Sequence, residues 1–264
     1  MRQLDTTLHA QQVRTPLDYA MSARDRDTPA MVAQALRAGA CALALQPVVT
    51  APGREVAFHE GLIRLTDPGG RVLPAAAFMG AVEETATGRD LDAASLGLAL
   101  GLLRARPGMR LSVNVSARSL GDSAFRAVLA ELVADDGTLG ERLILEICER
   151  SAMLLPEIVA RFMEELQPQG VAFALDDFGG GFLSFRHLRR FFFDLVKIDR
   201  GFISGIDGDA DNQVLVRALL GVAHQFDAFV VAPGVERAEE AAWLEAAGVD
   251  CLQGYFFGAP KVTR

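Results

Sequence analysis

Cysteine is scarce in this sequence. Cys41, Cys148 and Cys251 are odd in number and far apart, and no CxxC pair occurs. Neither a disulfide framework nor a zinc ribbon is supported, and the three read as small buried hydrophobes in a reducing compartment. Histidine is also sparse, and His9, His59, His187 and His224 show no ligand spacing. No uninterrupted apolar run approaches the length of a membrane span. The opening Met1-Arg2-Gln3-Leu4-Asp5 lacks the apolar core of a secretory signal, so a cytoplasmic location is expected. Basic excess is missing as well: 26 Lys and Arg stand against 34 Asp and Glu, for a net charge of -8. That balance argues against a sequence-blind nucleic-acid binder, which needs a basic face to release counterions. It leaves room for a phosphorylated small ligand, because a few Arg or Lys residues or a bound metal reverse the sign locally. Neither GxGxxG nor GxxxxGK[ST] is present, so nucleotide sites of those kinds are unsupported.

What is present is a chain of 264 residues, half of them hydrophobic, long enough to bury a substantial core as one large domain or two small ones. Residues 1–26 are polar and irregular and read as an arm or linker. Asp27-Thr28-Pro29 resembles a helix start, with a cap and a proline in the first turn, and the domain is taken as 27–264. From there short apolar runs alternate with amphipathic segments. The runs cover 42–49, 56–65, 110–116, 143–148, 171–177, 194–199, 228–235 and 249–255. Strand–helix alternation implies parallel pairing through crossover helices. About eight such units fit an α/β barrel of the TIM-like (β/α)8 kind, with a doubly wound open sheet as the alternative.

Most of these runs stay apolar until their C-terminal end, where a polar residue appears: Glu60 and Arg64, Asn114, Glu146, Asp176 and Asp177, Lys197 and Asp199, Glu236, and Gln253. In a barrel these ends converge on one face, where barrel enzymes keep their sites. Crowded carboxylates repel one another, and a divalent cation resolves the conflict. Oxygen donors without His or Cys suit Mg²⁺, Mn²⁺ or Ca²⁺ rather than zinc. Each residue alone has a plainer reading. A lone strand-end acid is commonly solvated or caps the next helix, Asp176-Asp177-Phe178-Gly179 could be a simple turn, and Lys197 with Asp199 could be a surface ion pair. The coincidence of six or more strands ending this way is what favours a site.

Together these residues resemble the EAL domain, the bacterial cyclic-di-GMP phosphodiesterase and receptor family, over about residues 29–262. Gln46-Pro47-Val48-Val49 is similar to the family's Q-P-I strand, and Glu60-Gly61-Leu62-Ile63-Arg64 stands where E-A-L-x-R stands, with Gly for Ala. Asn114-Val115-Ser116, Leu145-Glu146-Ile147-Cys148-Glu149, Asp176-Asp177-Phe178-Gly179, Lys197-Ile198-Asp199 and Gln253-Gly254-Tyr255-Phe256 follow in the family's order. The resemblance implies a TIM-like barrel whose first strand is antiparallel to the rest. It implies Mg²⁺ or Mn²⁺ on Glu60, Asn114, Glu146 and Asp176, with Asp177 sharing a second ion. Lys197 would orient the attacking water, supported by Asp199 and Gln253. Gln46, Leu62 and Arg64 would contact the substrate. Glu149 would steady the loop after Asp177, and Glu236 would brace the same region.

Two departures stand out. The family's A-E-G-V-E reads Ala232-Pro233-Gly234-Val235-Glu236, so Pro233 replaces an acid implicated in the second metal or in general-base work. Proline's side chain offers no oxygen and cannot stand in for it. The loop Gly179-Gly180-Gly181-Phe182-Leu183-Ser184-Phe185 loses the family's Thr, Tyr and one Ser and is more apolar, as is Phe191-Phe192-Phe193. Core packing is the first reading of those aromatics, and a surface for a protein partner the second. The resemblance therefore points to cyclic-di-GMP binding with impaired or absent hydrolysis, through two ions or one. The alternatives are an active or weakly active phosphodiesterase and an interaction module without nucleotide binding. It also suggests a homodimer.

Overall fold

The computed structural model describes residues 16–133, 138–181 and 188–263. In chain order the elements are α1 (Pro16–Arg37), β1 (Cys41–Thr50), β2 (Val56–Thr66), β3 (Val72–Pro74), α2 (Met79–Val82) and α3 (Ala86–Ala105). Next come β4 (Leu111–Asn114), α4 (Ser123–Val133), β5 (Leu143–Cys148), α5 (Glu149–Leu154), α6 (Pro156–Leu166) and β6 (Ala172–Phe178). Then follow β7 (Leu195–Ile198), α7 (Arg200–Ile203), α8 (Ala210–Gln225), β8 (Phe229–Ala232), α9 (Ala238–Ala247), β9 (Cys251–Gln253) and β10 (Lys261–Val262).

All eight apolar runs become strands, and they close into one mixed barrel. β2, β4, β5, β6, β7, β8 and β9 pair in parallel in that order. β1 runs against both neighbours and seals the ring between β2 and β9. The short strands β3 and β10 add antiparallel to β2 and β1 outside the ring. No open doubly wound sheet forms, because β1 and β2 pair along nearly their whole lengths.

The alternation of strand side chains sorts the ring into two layers of packing. Outward residues such as Leu143, Leu145, Ile147, Phe173 and Leu175 join the helices in one large core. Inward residues Val48, Phe58, Ile144, Ala174, Val231 and Cys251 form a separate apolar floor inside the barrel. A third cluster seats α1: Val32 and Ala35 pack with Leu65, Leu73, Phe78 and Val82.

One expectation is corrected here. The helix expected to start at Asp27-Thr28-Pro29 begins at Pro16, with Pro29 in its interior. The proline signal was misleading because proline forfeits only its own N–H bond and crowds one upstream carbonyl. The buried stripe of Val32 and Ala35 keeps the helix in place beyond it.

Glycine tests the packing at two positions. A Cβ at Gly254 would run into the backbone of Val235, whereas one at Gly101, on the exposed side of α3, would meet nothing. Gly254→Ala should therefore cost about 2–4 kcal/mol, read as a lower urea midpoint. Gly101→Ala should gain about 0.5–1 kcal/mol.

Candidate functional site

Two residues beyond the apolar floor, each strand presents a second inward residue. Phe58 is followed by Glu60, Ile144 by Glu146, Ala174 by Asp176, Leu195 by Lys197 and Cys251 by Gln253. On the inverted strand β1 the step runs the other way, from Val48 to Gln46. Register places Gln46 opposite Glu60 and Asn114 opposite Glu146. After β8 the same step leads from Val231 to Pro233. Strand periodicity thus gathers most of the expected residues into one polar layer, and Pro233 holds the eighth strand's place in it.

At the centre of the layer lies the Lys197 ammonium, almost fully buried. Its Nζ is 2.6 Å from Glu146 Oε2, 3.1 Å from Glu60 Oε2 and 3.5 Å from Asp176 Oδ2. Glu60 also accepts from Asn114 Nδ2 at 3.0 Å and from Gln253 Nε2. Gln253 reaches Gln46 Oε1 at 3.3 Å, and Gln46 Nε2 donates to the Gly258 carbonyl. Burial opposes charge on Glu60, but the Lys197 charge and the donated hydrogen bonds overcome it and hold the carboxyl below its usual value. Burial, with the Glu60 charge behind it, pushes Glu146 up to about 8. Burial also works against the Lys197 charge, yet its carboxylate neighbours raise it well above the ordinary lysine value.

The end of β6 carries the next pair. The β6–β7 register shifts between Leu175 and Phe178, and Asp177 adopts a left-handed φ of 57°. Such a bulge re-aims side chains at a strand end. Burial and the charges of Asp176 and Asp199 push the Asp177 carboxyl up to about 6. Beyond it, the Gly179 N–H donates to Glu149 Oε2 at 2.9 Å. Gly179 has φ 94°, and a Cβ there would press on Leu219 and Phe202. Asp199 caps α7 by accepting from Gly201 N at 2.7 Å. Glu236 pairs with Arg200 at 2.6 Å. The Arg64 guanidinium bonds the carbonyls of Leu62 and Ile63.

Two cavities meet at Asp177, which lines both. One, of 360 Å³, holds Gln46, Glu60, Leu62, Arg64, Lys197, Arg200, Pro233, Glu236 and Tyr255. The other, of 440 Å³, lies across Asp177 and holds Asn114, Ser116, Cys148, Asp199 and Asp92, with Glu84, Arg118 and Arg150. Sequence reasoning missed this second chamber. Asp92 had a visible signal: it shares the α3 stripe of Leu96, Ala99 and Leu103, all fully buried, where a carboxylate is out of place. Its Oδ2 accepts from Ser116 N at 2.8 Å and Ser119 Oγ at 2.6 Å, and burial pushes its carboxyl up to about 6. Arg118, Arg150 and Tyr255 carried no such mark.

The aromatic run divides. Phe191 and Phe193 are buried and their rings lie 5.5 Å apart, while Phe192 is exposed. Phe182, Leu183 and Phe185 lie outside the described residues.

The donor set suits a divalent ion. Glu60, Glu146 and Asp176 put three carboxylates on one ammonium, and Glu146 Oε1 is buried without a hydrogen-bond partner. Hard oxygen donors with surplus negative charge match Mg²⁺ or Mn²⁺. Among the described residues no three His, Cys, Asp or Glu groups stand in ligating geometry; Glu60, Glu146 and Asp176 converge on the Lys197 ammonium.

A family model for the EAL domain matches residues 30–260. A probable cyclic di-GMP phosphodiesterase, PdeN of Escherichia coli strain K12, is 32% identical over 83% of the chain, which spans 43% of that protein. The FimX EAL domain from Pseudomonas aeruginosa, solved bound to c-di-GMP, superposes with a TM-score of 0.80 at 27% identity, covering 89% of this chain and 96% of that one. The PaMucR phosphodiesterase, solved as a c-di-GMP complex, gives a TM-score of 0.77 at 28% identity, over 89% and 97%. Among the described residues no helix is long and apolar enough to cross a membrane.

Asp92 generates a test. A carboxyl whose folded value lies above its unfolded one weakens the fold as pH rises between the two, here from 3.8 to about 6. The expected loss is about 3 kcal/mol across that window. Both donors converge on one oxygen, which an asparagine carbonyl reproduces. Asp92→Asn should flatten this part of the pH–stability curve and be no less stable than the parent at pH 7, as read by urea midpoints from pH 4 to 7.

Proposed function

Because the chain belongs to the EAL domain family, we propose that it binds cyclic-di-GMP across the two cavities that meet at Asp177 and hydrolyses it slowly or not at all. Pro233 carries this reading. It occupies the eighth strand's place in the polar layer and lines the cavity that also holds Lys197 and Arg64.

The ligand is a two-fold dinucleotide, and two chambers of comparable size flank one carboxylate cluster. A phosphodiester at the junction would lie against Asp177 and Lys197, with a guanosine on either side. Arg64 offers charge to a phosphate in one chamber, beside Gln46 and Leu62. In the other, the Asp92 carboxylate is suited to accept from the N1–H and N2–H edge of guanine.

Glu60, Asn114, Glu146 and Asp176 would hold a divalent ion, Mg²⁺ or Mn²⁺, with Asp177 toward a second where two bind. When bound, such an ion supplies Lewis acidity and neutralises charge on the phosphodiester. Hydrolysis to the linear dinucleotide needs a water oxygen delivered in line with the scissile P–O bond and an acceptor for the water's proton. Lys197, fixed by its carboxylates, would orient that water, and Gln253 fixes Glu60 in turn. Asp177 would be the remaining acceptor at the junction. Asp199 is committed to the α7 cap and Glu236 to Arg200, so neither makes good the acid missing at 233. Losing such a group should reduce turnover more than ground-state binding. The intact Lys197 cluster favours a second reading, a weakly active phosphodiesterase.

Calorimetry with cyclic-di-GMP should give binding that strengthens with Mg²⁺ or Mn²⁺, alongside slow turnover. Pro233→Glu should raise kcat by about tenfold or more while moving Kd by only a few-fold. An unchanged rate would overturn the account of the defect. Glu60→Ala should abolish any metal-dependent turnover.

A further inference from the structure

Glu84 stands at the mouth of the larger cavity between two arginines from different elements. Glu84 follows α2, Arg118 follows β4, and Arg150 lies in α5. Nη2 of Arg118 and Nη2 of Arg150 both lie 3.5 Å from the same Glu84 oxygen, Oε1. All three side chains line the cavity that Asp92 closes from within.

We propose that Glu84 is a latch that holds both arginines and releases one to the N7 and O6 edge of a guanine entering this chamber. This rests on the nucleotide reading above and names a specificity-determining residue for it. A strong guanidinium–carboxylate contact is about 2.7–2.9 Å and often bidentate. One oxygen shared at 3.5 Å saturates neither arginine, so each keeps donors to offer. The side chains remain 37%, 60% and 56% exposed for Arg118, Arg150 and Glu84, and exposed pairs contribute only about 0–1 kcal/mol each. Release is therefore cheap. Arg118 and Arg150 are the cations in a lining that otherwise carries the acids Glu83, Glu84, Asp92, Asp177 and Asp199, so they are the charged groups there that can donate to a base's acceptors.

The latch also discriminates. Guanine presents two acceptors side by side, N7 and O6, which one guanidinium engages bidentately. Adenine presents N7 beside an amino donor, so it opposes a donor with a donor. Only a base that can replace the carboxylate as an acceptor pair displaces Glu84. The guanine's N1–H and N2–H then face Asp92.

Calorimetry on the full chain tests this with cyclic-di-GMP, GMP and AMP at two salt concentrations. Glu84→Gln should lower Kd for cyclic-di-GMP and GMP about three- to tenfold, with steeper salt dependence and no gain for AMP. Arg150→Ala should weaken guanine binding, and combined with Glu84→Gln it should remove most of the gain. All three positions are exposed, so folding is not at issue. If the parent chain binds and Glu84→Gln binds equally or more weakly, the latch is wrong while the nucleotide reading stands. Binding by Glu84→Gln where the parent chain is silent supports the latch. If neither chain binds either guanine ligand, both readings fall.

Discussion

The buried ammonium of Lys197 is the interaction on which the site depends. Three carboxylates from three strands lie within 3.5 Å of it. Without it, Glu60 and Glu146 would face each other as like charges away from water, an arrangement that costs several kcal/mol. With it they are drawn to one point, which fixes where the remaining polar groups can sit. Asn114 and Gln253 bind Glu60 because Glu60 is already placed, and Gln46 follows from Gln253. One charge thus organises side chains from six other strands. Even with Glu146 pushed up to about 8 and holding its proton, Glu60 and Asp176 outnumber the one ammonium, so the layer keeps negative charge to spare.

Much of this was legible in the sequence because strands repeat every two residues. The polar residues at the ends of the apolar runs share a phase with the floor residues two positions back, and the ring brings them together. Partners 137 positions apart, such as Glu60 and Lys197, meet only because the barrel closes, which no local pattern encodes. The inverted first strand was expected from family resemblance alone. The second chamber escaped notice because its walls come from loops and helix ends, where periodicity carries no information. Asp92 is the exception, an acid in an apolar helical stripe. The start of α1 was misplaced because a single proline was weighed above the packing that follows it.

Pro233 is informative for the same reason. Its neighbours in the layer supply charge or hydrogen bonds, and it supplies neither. Gly234 beside it has φ 76°, and a Cβ there would collide with the Arg200 side chain. Around Pro233 the turn at Gly234, the Arg200–Glu236 pair and the cavity wall are all formed, and the proline adds no side-chain oxygen to them. The layer around Lys197 is spared because Pro233 makes no part of its hydrogen-bonding.

The reversed direction of β1 has a mechanical consequence. Cys41, its first residue, pairs with Leu65, and Ala42 pairs with Arg64. In a barrel of wholly parallel strands the chain would enter at the base, remote from the two cavities. Here α1 delivers the chain at the rim, beside the arginine that faces the cavity. A displacement of that helix is shared between the β1–β2 ladder at Arg64 and its packing on Phe78, Val82 and Leu91. The inversion joins the entry helix to the wall of the site rather than to the floor of the barrel.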